Sequence, residues 1–179
     1  MHTFPKKPEA LLIELGLLSV PVNVDAVAAA LNLSVSQQIL DDDVSGFLVV
    51  KGGRGSVVIN KSQHLNRRRF TMAHEIGHYV LHASSDRLFL DRKFPTISKV
   101  DESVYLRSSS QSTSAVEEIE ANNFAAEMLM PKTLVENFVK RARLSFHDEE
   151  EVSACARAFG VSEQAMLIRL KRLGLLKIA

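Results

Sequence analysis

His74-Glu75-Ile76-Gly77-His78-Tyr79-Val80-Leu81-His82 places three of the chain's six histidines within one short run. Phe70, Ile76, Val80 and Leu81 recur at helical spacing around them, which predicts a helix over 70–82. On a helix, residues four apart differ by about 40° in direction and about 6 Å in height. His74 and His78 therefore face one point, where two neutral imidazoles can ligate a single Zn2+ at about 2.0–2.1 Å. Glu75, one residue on, projects beside that point and is the candidate general acid/base. The competing explanation is chance, since H-E-x-x-H arises by accident in about one chain of this length in a few hundred. The surroundings have to decide between the two.

Upstream, Leu11, Leu12, Leu15 and Leu18 recur at helical spacing up to Pro21, and Asn23 or Asp25 can cap a second helix through Leu31. Short β-rich runs follow at 33–39, 46–50 and 57–60, the last two separated by Gly52-Gly53-Arg54-Gly55. These predict two or three antiparallel strands with a glycine hairpin. Downstream, residues 83–114 carry clustered serines and Pro95 and read as a long loop, of the kind that forms a lid or binding segment or is disordered, with an edge strand near 104–106. A helix is expected from Ser114 to Met130: Ser114 with Glu117 three residues on forms a capping box, and Pro131 stops it.

A catalytic zinc keeps three protein ligands and leaves one position open. His82 continues the same helix, and one straight helix cannot wrap three such residues around a tetrahedral ion. Glu117, Glu118 and Glu120 on the second helix are the better candidates, although acids there also complement a helix dipole. Glu118 is favoured because Asn122 shares its face at i+4, and an amide oxygen there can orient a ligand histidine by accepting its free ring N–H. Ala121, Phe124, Ala125 and Leu129 form the core-facing side.

Composition agrees with a soluble, self-supporting domain. The chain has 179 residues, 46% hydrophobic and 24% charged, with 22 basic against 21 acidic groups and no apolar stretch of bilayer length. A net charge of +1 gives no global attraction to nucleic acid or anionic lipid. Lys6 and Lys7 precede an apolar segment broken by Glu9 and Glu14, a poor secretory signal. The single cysteine, Cys155, excludes an intrachain disulfide and a Cys-rich zinc ribbon, fits a reducing cytoplasm, and reads as a small buried side chain. Residues 132–179 read as three helices, with Gly160 and Ser162 punctuating the last two in helix-turn-helix fashion. The expected organisation is a metal-binding domain over 1–131 and a helical subdomain over 132–179 packed on it.

The stretches Arg68-Arg69-Phe70-Thr71-Met72-Ala73 leading into the histidine run, and Glu118-Ile119-Glu120-Ala121-Asn122-Asn123-Phe124 running on to Pro131, resemble the ImmA/IrrE family of zinc metallopeptidases. Pro21-Val22-Asn23-Val24, Ser45-Gly46-Phe47, Val58-Ile59-Asn60, Gly160-Val161-Ser162 and Arg169-Leu170 extend the likeness over most of the chain. The resemblance implies a small gluzincin-like α+β zincin domain in which His74, His78 and Glu118 hold one catalytic Zn2+ and Glu75 is the acid/base. Related gluzincins often have Asp where Asn122 stands. The separation 118 − 78 = 40 residues is on the long side for such a fold. Tyr105, Tyr79 and His82 are the available donors for a developing oxyanion. The implied substrate is a bacterial Xre-type helix-turn-helix repressor or antitoxin, cleaved in stress, mobile-element or toxin-antitoxin control.

Two other readings stay open. A regulator with a vestigial metal site could act through protein or DNA binding by its C-terminal helices, where nine Lys/Arg against six Asp/Glu give 9 − 6 = +3 and Arg169, Lys171 and Arg172 cluster. A purely structural zinc would tie the two helices together but leave Glu75 without a purpose.

Overall fold

The computed structural model describes residues 6–83, 86–92, 113–146 and 149–176. Two short helices, α1 (Pro8–Glu14) and α2 (Val24–Ala30), precede strands β1 (Ser34–Gln38), β2 (Val44–Lys51) and β3 (Arg54–Asn60). The long helix α3 (Leu65–His82), strand β4 (Arg87–Arg92) and helix α4 (Ala115–Leu129) follow, and α5 (Lys132–Ala142), α6 (Glu149–Phe159) and α7 (Glu163–Arg172) complete an α+β architecture. Among the described residues, no helix is long and apolar enough to cross a membrane.

Local chemistry sets the boundaries. Asn23, not Asp25, caps α2 by accepting the Ala26 N–H at 3.0 Å. Gly52 and Gly53 both adopt positive φ, 57° and 74°, as a tight two-residue hairpin turn requires. The reciprocal capping box of Ser114 and Glu117 starts α4, and Ser162 caps α7.

The expected antiparallel sheet is in fact a mixed one, with order β1-β3-β2-β4. β2 runs antiparallel to both β3 and β4, whereas β1 pairs parallel to β3. The cause is the path of the chain: β2 leaves a gap beside β1, and β3 returns from the glycine hairpin into it. Asn60 fixes the connection, its buried amide donating to the carbonyls of Leu40, Asp41 and Val44. The second correction concerns the stretch read as loop from 83 to 114, because β4 lies within it. Leu88 and Leu90 pair with Val49 and Phe47 of β2. A three-residue apolar run is too short to show strand alternation in the sequence. The edge strand expected at 104–106 lies outside the described residues.

One face of the sheet, through Leu48, Val50, Val57, Ile59 and Phe89, buries itself with Met72, Ala73 and Ile76 of α3. Phe124, Ala125, Met128 and Leu129 of α4 join the same core, as do Val135, Phe159, Met166 and Leu170 from the helices after residue 131. Ala121 is also fully buried. Gly77 lets α3 and α4 approach closely. A Cβ on it would lie 3.2 Å from the Ala121 Cα and from the Phe124 ring.

Candidate metal centre

The middle of α3 buries polar groups that ordinarily stay wet: Thr71, His74, Glu75 and His78 are all at most 1% exposed. Burying such groups costs several kcal/mol unless they find partners, so their arrangement has to compensate. His74 and His78 arrive one helical turn apart, as their spacing predicts, and α4 brings Glu118 across from the opposite side. His74 Nε2 lies 3.0 Å from His78 Nε2 and 3.3 Å from Glu118 Oε2, and His78 Nε2 lies 3.3 Å from Glu118 Oε1. Donors at about 2.0–2.1 Å around a tetrahedral ion are separated by roughly 3.3–3.4 Å. The three side chains thus stand at ligand spacing.

Proton bookkeeping makes the case sharper. His74 Nδ1 lies 3.1 Å from Asn122 Oδ1, which accepts only, so this nitrogen carries the ring hydrogen of a neutral His74. The Nε2 lone pair then faces a carboxylate oxygen at 3.3 Å, and Glu118 Oε2, although buried, makes no well-directed hydrogen bond. Two acceptors turned toward each other in a buried site repel, and a cation between them reverses the sign. Asn122 stands where a ligand-orienting group is needed.

The electrostatics point the same way. Burial pushes the His78 pKa down, aided by the neighbouring charges of His74 and His82, against the raising effect of Glu118. The ring is therefore held neutral, the form that ligates. Burial acts to raise the Glu118 carboxyl, but the two imidazoles beside it outweigh burial and hold it at about 2, so the group is an anion. Two imidazoles and one carboxylate form a donor set suited to a divalent ion.

The other sequence candidates sit around this cluster. Glu75 is fully buried on the ligand helix between the two histidines. His82 Nε2 lies 3.5 Å from Glu120 Oε2, one turn beyond His78. Tyr79 Oη donates to the Gly53 carbonyl at 3.4 Å, on the β2–β3 turn. Tyr105 lies outside the described residues. Glu117, considered beside Glu118, is paired with Arg87 instead. Two neighbours of the centre carry no mark in the sequence, because β4 itself is hidden there. Phe89 stacks on the His78 ring with centroids 4.7 Å apart and 24° between planes, and Arg87 lies next to Phe89.

A mixed sheet, a helix carrying His74 and His78 and a carboxylate from a second helix form a candidate metal centre on an α+β scaffold. The chain belongs to the Peptidase_M78 family, the IrrE N-terminal-like domain, whose model matches residues 30–171. It is also 28% identical over 112 residues to "Uncharacterized immunity region protein 2" of Bacillus phage phi105. That match covers 63% of this chain and 61% of the phage protein, less than two thirds of the relative's length.

Proposed function

We propose that the protein is a cytoplasmic zinc-dependent endopeptidase that cleaves a helix-turn-helix repressor or antitoxin of the Xre type, in stress, mobile-element or toxin-antitoxin control. The observation that carries the catalytic part is the set of three convergent donors from α3 and α4, with two acceptors facing each other at 3.3 Å beside the buried Glu75. Membership of a peptidase family supports the reaction class. The substrate rests on the family resemblance of the sequence.

Bound among His74, His78 and Glu118, a zinc ion would supply Lewis acidity, polarising the scissile carbonyl and making water nucleophilic near neutral pH. The protein's own groups do the rest. Asn122 fixes the His74 ring, and burial keeps His78 neutral. The Glu75 carboxylate takes a proton from the attacking water and delivers it to the departing amine nitrogen, so the proton lost by water ends on the leaving group.

The binding cleft in this reading runs along β4. Among the described residues β4 pairs only with β2, so its outer edge can hydrogen-bond an extended substrate segment. Phe89, stacked on His78, puts that edge next to the ligands.

Glu75→Gln keeps the shape and removes the proton acceptor. The variant should bind zinc at the wild-type stoichiometry and lose about 10²–10⁴-fold in the rate of repressor cleavage, followed by mass spectrometry of the fragments. Undiminished cleavage by this variant would end the acid/base assignment.

A further inference from the structure

Arg87 belongs to neither the donor set nor the proton path, yet both of its contacts lead to ligands. Its Nη1 and Nη2 donate to Glu117 Oε1 and Oε2 at 2.7 and 2.8 Å, a two-pronged pair with both side chains partly buried. Glu117 directly precedes Glu118. Its Oε2 also accepts the Ser114 N–H at 2.8 Å, and its own N–H donates to Ser114 Oγ at 3.2 Å, so the first turn of α4 is gripped at this residue from two sides. The second contact is through the ring of Phe89, whose centroid lies 4.8 Å from the Arg87 guanidinium carbon. Phe89 is fully buried and stacks on His78.

This geometry bears on a weak point of the centre. Glu118 stands in the first turn of its helix, directly after the N–H groups that lack intrahelical partners, where helix ends fray. The capping box holds that turn together but ties it to nothing outside α4. Arg87 ties it to the sheet. A planar guanidinium suits both contacts, since it matches a carboxylate with two parallel hydrogen bonds and lies against an aromatic face.

We propose that Arg87 is a positioning residue for the metal centre: through Glu117 it fixes the Glu118 carboxylate, and through Phe89 it fixes the His78 ring. The inference rests on the reading that His74, His78 and Glu118 hold a divalent ion.

The test measures zinc affinity of the full chain by competition with a chromophoric chelator. It also records the visible absorption of the Co2+-loaded protein and denaturant unfolding of the metal-free protein. Arg87→Ala should weaken zinc binding by about 10–100-fold and alter the Co2+ spectrum, the size of effect that removal of ligand-orienting groups produces. Arg87→Lys, which keeps the charge but not the fork, should restore only part of the loss. Glu117→Gln, whose side chain still serves the capping box, should also weaken binding, and adding it to Arg87→Ala should cost little more, because Arg87→Ala already removes the contact that Glu117 makes. Zinc affinity of Arg87→Ala within about threefold of wild type would overturn the proposal. So would a variant that lowers only the unfolding midpoint of the metal-free protein, since that marks a purely structural role. If the wild-type chain itself binds no divalent ion, the metal reading fails first, and this inference fails with it.

Discussion

The two halves of α3 bury polarity in opposite ways. In the N-terminal half part-buried donors meet acceptors: Asn66 the Val161 carbonyl, Arg69 the Gly160 and Val22 carbonyls, and Arg67 the Ser45 hydroxyl. Arg169 of α7 does the same with the Met130 carbonyl at the end of α4. In the C-terminal half the His74 Nε2 lone pair faces a Glu118 carboxylate oxygen of α4 at 3.3 Å, with His78 Nε2 close to both. Buried donors matched to carbonyls lock one element to the next. Buried acceptors matched to acceptors leave a demand for a cation, and that contrast separates scaffold from site on a single helix. It also bears on the C-terminal cations: Arg169 is buried against the chain, and Arg172 donates to Asn123 Oδ1 at 2.9 Å, so two of the three basic side chains clustered on α7 face the protein itself.

The largest effects should come from the acceptor-lined half. Glu118→Ala or His78→Ala should lower bound zinc from about one ion per chain to near zero by elemental analysis, because two remaining ligands cannot support a three-ligand site. Wild-type zinc content in either variant would remove the difference between the halves. Arg69→Met should act in the other half, costing about 2–4 kcal/mol in urea unfolding by leaving buried carbonyls without their charged donor, while zinc per folded chain stays unchanged.

Gly77→Ala tests the seam between α3 and α4. Its methyl group would press on the Ala121 backbone, which cannot rotate away, so a loss of about 1–3 kcal/mol with weaker zinc binding is expected. An unchanged unfolding midpoint would show that the helices can separate without cost.

The smallest effect concerns acid. Hydrogen bonds from Arg87, helped by Ser114, hold the Glu117 carboxyl at about 2, below its usual 4.5, against the raising effect of burial. A carboxyl depressed on folding stabilises the native state above its unfolded value. The stabilisation declines as the pH falls below 4.5 and is gone once it passes through 2. In the metal-free protein, the stability difference between wild type and Glu117→Gln should therefore be constant, about 1–2 kcal/mol, above pH 5 and shrink toward pH 2. A difference that grows on acidification would exclude the ion pair as its source.

Much of this was legible because the signals were local. The His74/His78 spacing, the Ser114–Glu117 capping box, the Gly160–Ser162 punctuation and the glycine hairpin each depend on residues within a few positions of one another. Even Glu118 was within reach, since Asn122 shares its helix face and could be matched to a ligand ring. Other features were not. The parallel pairing of β1 with β3 depends on which gap a returning strand fills. β4 carries too short an apolar run to announce itself, and Arg87 and Phe89 acquire meaning only once β4 lies beside the ligands.

The sequence by itself determined the ligand helix, its paired imidazoles and the carboxylate set among them, because a 3.6-residue period converts spacing directly into direction. Only the tertiary structure decided how the acid of α4 reaches the set and what holds it there. The approach of α4 at Gly77 and the grip of β4 through Arg87 are contacts between residues far apart in the chain, fixed by packing and charge rather than by any local repeat.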